Sequence, residues 1–224
     1  MNKQGFDGIG WCDFTWNPII GCSPVSPGCE NCYAAAISRR FGLPWGTAHF
    51  MPDRLGQPSK VPTPARVFVC SMSDIGHETV KPEWREAVYA AMRAAPQHTF
   101  IILTKRPGAW LRDVPPSAWI GVTAEDQAHY ESRWLELTAQ VQGPDHAMRF
   151  ISVEPMLGPV TLRDDWCAPD LVIAGPETGP KARPCEDAWI DALANESPCF
   201  FDKRKSGWSR RELPARNGDQ QKNG

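Results

Sequence analysis

The stretch RVFVCSMSDIGHETVKPEWREAVYAAMRAAPQHTFIILT (Arg66–Thr104) reads as a strand, a helix and a second strand. Its two ends, RVFVCS and HTFIILT, are short runs apolar on both faces, the pattern of parallel strands covered on both sides. Between them, PEWREAVYAAMRAA carries Pro82 at a first helical position and Trp84, Val88, Ala91 and Met92 at helical spacing. Parallel neighbours need a crossover rather than a tight turn, so the stretch is one βα unit running into the next.

The same pattern extends in both directions. Apolar runs recur at AWIGVT (Ala118–Thr123), RFISVE (Arg149–Glu154), DLVIAG (Asp170–Gly175) and PCFFDK (Pro198–Lys203), with an earlier one in FTWNPIIG (Phe14–Gly21). Helical stretches follow in EDQAHYESRWLELTAQVQ, with Tyr130, Trp134, Leu137 and Val141 on one face, and in CEDAWIDALAN. Six or seven such units predict an α/β fold with a parallel sheet, as a partial or complete (β/α) barrel. Periodicity alone leaves a doubly wound open sheet as the alternative.

Composition bounds the class. The chain has 224 residues, 42% hydrophobic and 22% charged, with a net charge of −2, which is an ordinary globular balance. Its 22 prolines are spread as punctuation and delimit no linker, so residues 1–203 read as one domain. Residues 204–224 read as a basic polar tail. From Lys203 onward the chain carries +5 and the remainder −7, so a near-neutral total conceals an acidic body and a basic end. No apolar run approaches a membrane span, and the N-terminus lacks a signal-peptide pattern, so a cytoplasmic location without membrane partners is expected.

Ligands of parallel βα folds gather at the carboxyl ends of the strands. Those positions here are Ser71, Ser73, Asp74, His77 and Glu78, then Thr104, Lys105 and Arg106, then Thr123, Glu125 and Asp126, then Glu154, and lastly Glu177 and Thr178. Any one of them could be a helix cap, Thr123 above all. Glu154 is different, because it follows an apolar strand directly and precedes a proline, which aims its carboxylate at the mouth of the sheet.

The cysteines add a second signal. Of eight, three crowd into GCSPVSPGCENC as Cys22, Cys29 and Cys32, a C-x6-C-x2-C spacing in a loop shaped by Gly21, Pro24, Pro27 and Gly28, with a helix beginning near Cys32. In a reducing compartment, clustered thiols are metal ligands or catalytic groups more often than disulfides. Three thiols without an obvious fourth suit an iron-sulfur cluster with one open iron. The alternatives are a closed structural site completed by Cys12 or a histidine, or separately buried cysteines. Cys70, Cys167, Cys185 and Cys199 stand singly and read as packing residues. His49, His129 and His146 show no metal spacing, and most of the ten tryptophans read as core.

Taken in order, TWNPIIGCSPVSPGCENCYA, VFVCSMSDIGHE, HTFIILTKRP, WIGVTAEDQ, RFISVEPMLGPV and LVIAGPETGPKARP resemble the phage and bacterial three-Cys-motif family of radical-SAM-like proteins. The resemblance runs from Phe14 to Lys203. It implies a (β/α) barrel of the radical SAM type, a 4Fe-4S cluster on Cys22, Cys29 and Cys32, and S-adenosylmethionine cleaved to a 5′-deoxyadenosyl radical with an electron from a reducing donor. The spacing departs from the usual C-x3-C-x2-C. Asn31 also stands where an aromatic residue is common, with Tyr33 placed to take over an adenine contact, and SMSD occupies the place of a GGE.

On this reading Tyr33, Ser71, Asp74, Glu125, Glu154 and Glu177 bind cofactor, while Lys105, Glu125 and Glu154 act in catalysis. Lys105 and Arg106 are candidates for an anionic substrate group, unless they pair with nearby acids. Relatives of this kind point to phage DNA hypermodification, with an isomerase or lyase acting on a modified nucleobase and the basic tail contacting DNA. The non-enzyme alternative is a metal-stabilised nucleic-acid-binding or partner-binding protein whose closed four-cysteine site includes Cys12.

Overall fold

Seven strands run parallel in the order in which the chain makes them. The computed structural model describes residues 1–4, 8–142, 148–163, 168–197 and 199–204. The elements are β1 (Asn2–Lys3), β2 (Phe14–Trp16), β3 (Ile19–Ile20), α1 (Tyr33–Phe41), β4 (His49–Phe50), β5 (Arg66–Val69), α2 (Pro82–Arg93), β6 (Thr99–Thr104), β7 (Trp119–Thr123), α3 (Gln127–Gln140), β8 (Arg149–Val153), β9 (Leu171–Ala174), α4 (Asp187–Glu196) and β10 (Phe200–Asp202). Among the described residues the main sheet is ordered β1-β2-β5-β6-β7-β8-β9-β10, with only β1 antiparallel to its neighbour, and β3 pairs antiparallel with β4, beyond α1 in the chain, in a separate two-stranded sheet.

The expected runs therefore form strands, each shortened by one to three residues, except that FTWNPIIG divides. Pro18 cannot donate to a ladder, and the chain leaves β2 before it to form β3. The two-residue strands β1 and β4 have too little sequence for periodicity to show. The strand order never reverses, so the sheet has no topological switch point, and the doubly wound alternative is excluded.

Alternation along the strands sorts two cores. Val67, Val69, Ile102, Ile120, Val122, Ile151, Val153 and Val172 pack with Val88, Tyr89, Met92, Tyr130, Trp134, Leu137, Ile190 and Leu193 of the helices. The intervening strand residues Phe68, Ile101, Trp119, Phe150, Ile173 and Phe201 form a separate cluster with Trp11 and Cys12, to which no helix among the described residues contributes. Helices thus cover one face, as uniform right-handed crossovers require.

The opposite face closes on itself. The Trp11 ring lies 4.7 Å from Phe68 on β5 and 6.5 Å from Phe150 on β8. A Cβ on the preceding Gly10 would stand 3.1 Å from the Phe201 ring on β10. In a flat sheet β5 and β10, five strands apart, would be separated by about 24 Å. One short segment touches both, so the sheet is curled around it. The ladder does not join β10 back to the other edge, an arrangement compatible with a partial (β/α) barrel.

Gly121 makes room for this interior. It sits on the inner face of β7, and a Cβ there would lie 2.6 Å from the Phe150 ring. Gly121→Val is expected to lower stability by about 1–3 kcal/mol through overpacking. The check is the urea midpoint, with Phe150→Leu in the same chain recovering part of the loss.

Candidate functional site

The cysteine loop begins where β3 ends and is sewn onto the carboxyl end of β5. Gly21 has φ of +85° and lies so close to the Thr47 carbonyl that a Cβ would be 2.2 Å from it, so both conformation and space demand glycine. Its amide donates to Met72 O at 3.0 Å, and Ser73 Oγ donates to Gly21 O at 2.6 Å. Cys22 O accepts from Gly46 N at 2.9 Å. A 3-10 turn over Pro27–Cys29 follows, and Cys32 stands as the N-cap residue of α1, its carbonyl accepting from Ala36 N at 3.1 Å.

Beneath the loop lies the Glu125 carboxylate, whose side chain is 0% exposed. Ser26 Oγ donates to its Oε1 at 2.6 Å, Lys105 Nζ pairs with the same oxygen, and Arg133 Nη1 donates to Oε2 at 2.9 Å. A Cβ on Gly28 would come within 2.3 Å of Oε1, so the loop backbone rests directly on this carboxylate. Burial opposes ionisation, but the Lys105 charge and the hydrogen bonds from Lys105 and Ser26, with the Arg133 charge behind them, outweigh it and hold the carboxyl below its ordinary range.

A second knot grips the start of the loop. Arg106 Nη2 donates to Ser23 O at 2.7 Å and Ser23 Oγ at 3.0 Å, its Nε donates to Glu78 Oε2 at 3.2 Å, and its Nη1 lies 3.6 Å from Cys22 Sγ. Asp74 supports this arrangement, accepting from Thr104 Oγ1 at 2.6 Å and from the amides of Lys105 and Gly76 at 2.9 Å each. His77 Nδ1 accepts from Thr79 N at 3.2 Å, which leaves the proton on Nε2 to donate to Ser23 Oγ at 2.9 Å. In that tautomer His77 is a donor holding Ser23 and not a base activating it.

The far side of the loop is held by Glu177 and Arg183. Arg183 Nε and Nη2 reach the two Glu177 oxygens at 2.8 and 2.5 Å, and Asn31 Nδ2 donates to Oε2 at 3.0 Å. Tyr33 OH donates to Ser71 O at 2.7 Å, while the residue remains 50% exposed. Ser71 Oγ and Met72 N both donate to Asn17 Oδ1, at 3.2 and 2.9 Å. At the mouth, Glu154 pairs with Lys203, both about one-quarter exposed.

The residues expected from sequence are thus brought to one end of the sheet, but several have other occupations. Glu125 and Lys105, expected in catalysis, are partners in a knot that positions the loop, and Lys105 and Arg106 are paired with acids instead of open to an anionic substrate. Asp74, Ser71 and Glu177, expected to bind cofactor, spend their oxygens on the protein. Thr123 is not a cap, since Asp126 caps α3 by accepting from His129 N at 3.0 Å. Access remains at the Tyr33 ring, at Glu154 and at the half-buried thiols of Cys22, Cys29 and Cys32. Sequence reading passed over Asn17, Ser26, Arg133 and Arg183. Asn17, Ser26 and Arg183 lie inside the quoted blocks but away from the cysteines and strand ends, and Arg133 lies mid-helix; for Ser26, Arg133 and Arg183 the signal available was that a buried carboxylate needs donors.

Cys12 belongs to the inner core with Trp11 and Phe68, and burial pushes its thiol up to about 12. That packing removes it as the natural fourth ligand of a closed site. Burial, reinforced by Asp74 and countered by Arg106, raises the Cys22 thiol to about 11. For Cys29, burial is overcome by the Lys105 charge and by hydrogen bonds from Val25 and Ser26, so its thiol lies below the ordinary value. Among the described residues no three Cys, His, Asp or Glu side chains gather as ligands of one metal ion. A single tetrahedral zinc would need sulfurs about 3.8 Å apart, whereas a cluster takes one thiolate per iron. Cys22, Cys29 and Cys32, half-buried on one loop beside Lys105 and Arg106, could each serve one iron of such a cluster. Among the described residues no helix is long and apolar enough to cross a membrane. The basic tail from Lys205 onward, with Trp208, lies outside the described residues, as do Cys167 and His146.

A family profile described as "Protein of unknown function (DUF5131)" matches residues 7–223. The chain belongs to that family. The match spans the seven parallel strands, the cysteine loop and every knot around it, so the site is part of the DUF5131 domain itself. No curated protein and no solved structure matches the chain.

Two outcomes follow from these knots. Glu125→Ala leaves Lys105 and Arg133 without their buried counter-charge and should cost about 3–5 kcal/mol, read from urea unfolding. Glu177 is held at about 2, chiefly by hydrogen bonds from Arg183 and against the opposing effect of burial. Its folded value lies below its unfolded one, so its stabilisation is full above the ordinary carboxyl range and is lost as pH falls towards about 2. Glu177→Gln should flatten the pH dependence of unfolding across that acid window, measured by the urea midpoint at a series of pH values.

Proposed function

We propose that this protein is a radical SAM enzyme. The observation that carries the reading is the cysteine loop itself: three accessible thiols at the carboxyl end of a curled parallel sheet, with Lys105 and Arg106 fixed beside them. The sheet is read accordingly as a barrel of the radical SAM type. Cys22, Cys29 and Cys32 would hold a 4Fe-4S cluster. When bound, that cluster supplies the electron, drawn from a low-potential reductant, that cleaves S-adenosylmethionine to methionine and a 5′-deoxyadenosyl radical.

The chain's own residues divide the remaining work. Tyr33 offers an exposed ring face whose position is fixed by its hydroxyl on Ser71 O, suited to stacking on an adenine. Glu154, reachable at the mouth, can accept from an ammonium or a ribose hydroxyl after exchanging its bond with Lys203. Lys105, Arg133 and Ser26 hold Glu125, and Glu125 holds the loop. Asp74 and Glu177 do the same from either side. A modified nucleobase in DNA is the substrate class proposed, acted on by isomerisation or lysis, with the basic residues from Lys205 onward on the phosphates, since Lys203 pairs with Glu154 and Arg204 with Asp187, Asp191 and Asp202.

Anaerobic reconstitution with iron and sulfide tests the reading. A brown protein with about four irons per chain, lost on Cys22→Ala, Cys29→Ala or Cys32→Ala, and release of 5′-deoxyadenosine under dithionite are the expected results. A colourless protein with one zinc and no cleavage of S-adenosylmethionine would overturn it. For the substrate, nucleosides from DNA exposed to the active enzyme should include one with altered mass, and an unchanged nucleoside profile would remove DNA from consideration.

A further inference from the structure

We propose that Arg106 sets the reduction potential of the metal centre by donating a hydrogen bond to the Cys22 sulfur, an inference that rests on the cluster reading above. Of the groups around the three thiols, the Arg106 guanidinium is the cation whose N–H reaches a sulfur, with Nη1 at 3.6 Å from Cys22 Sγ. It cannot easily turn away. Nη2 is committed to Ser23 O and Oγ, Nε to Glu78 Oε2, and Nη1 also lies 3.5 Å from Asp74 Oδ2. Asp74 is itself held by the end of β6, the strand that delivers Arg106.

Fixing a planar donor this firmly is more than loop closure needs, since the bonds to Ser23 already close it. What the remaining N–H does is place positive charge on a ligand sulfur in a site where the arginine side chain is only 13% exposed. Reduction adds one electron to the cluster and breaks no bond to the protein, so the reduced state is the more negative. A donor and cation held beside a thiolate stabilise that state more than the oxidised one and raise the potential. Arg106 therefore makes the centre reducible by a weaker reductant. Lysine in its place keeps the charge but not the rigid fork.

Potentiometric titration with dithionite, followed by the EPR signal of the reduced cluster, tests this on the reconstituted full chain alongside iron and sulfide analysis. Arg106→Gln should lower the equilibrium constant for reduction at least about tenfold, a fall of about 59 mV in midpoint for one electron. Arg106→Lys should fall between it and the wild type. Should Arg106→Gln fail to load, Arg106→Lys carries the test: a lowered midpoint supports the proposal and an unchanged one overturns it. A loaded Arg106→Gln protein with the wild-type midpoint would also overturn it. A wild type that takes up no iron and sulfide would instead sink the functional reading beneath it, so the two failures are told apart by metal content alone.

Discussion

The arrangement of the cysteine loop over the strand ends depends on one buried carboxylate. Glu125 carries a charge with no exposed surface, and a charge so placed must be matched by donors or it destabilises the fold. Its donors come from three places in the chain: Ser26 in the cysteine loop, Lys105 after β6 and Arg133 in α3. Satisfying one carboxylate thereby docks the loop, the strand ends and a helix to one another. Gly28 completes the arrangement by letting the loop backbone come down onto the carboxylate.

The curl of the sheet makes that docking geometrically available. In a flat sheet the ends of β5, β6 and β7 would lie in a row, and the loop after β3 could meet only its neighbours. Wrapped around Trp11, with aromatic rings filling the interior, the sheet turns its strand ends toward a common mouth. Glu154 and Lys203, on strands β8 and β10 and their exits, meet there across the intervening β9. Gly175 at the end of β9 keeps the passage open, since a Cβ would lie 2.8 Å from the Lys203 side chain.

The polar groups around the loop fall into two kinds. Asp74, Glu125 and Glu177 are saturated by the protein and fix where the thiols stand. Tyr33 and Glu154 keep a face toward solvent and are the groups through which a small molecule could be recognised. A site that positions thiols on a loop needs the first kind in larger number, because a loop carries no ladder of its own to hold it in place.

By itself the sequence determined the longer strands and helices, the parallel βα class and the three-thiol loop, because apolar runs, helical spacing and Gly/Pro turns act over a few residues and are written locally; the strand order and the two-residue strands it left open. It also pointed to the strand ends where the charged residues lie. What it could not decide was which of those charges are spent. Glu154 was marked by its place between an apolar strand and a proline and does open on the mouth, but nothing in the sequence marked Glu125 as the carboxylate sealed under Gly28. Cys12 and Cys22, ten residues apart, go to opposite environments for the same reason: one follows Trp11 into the interior and the other turns out at Gly21. Only the tertiary structure settles such assignments, since burial and pairing are set by partners as much as 153 residues away in the chain, as between Glu30 and Arg183, and no local pattern records them.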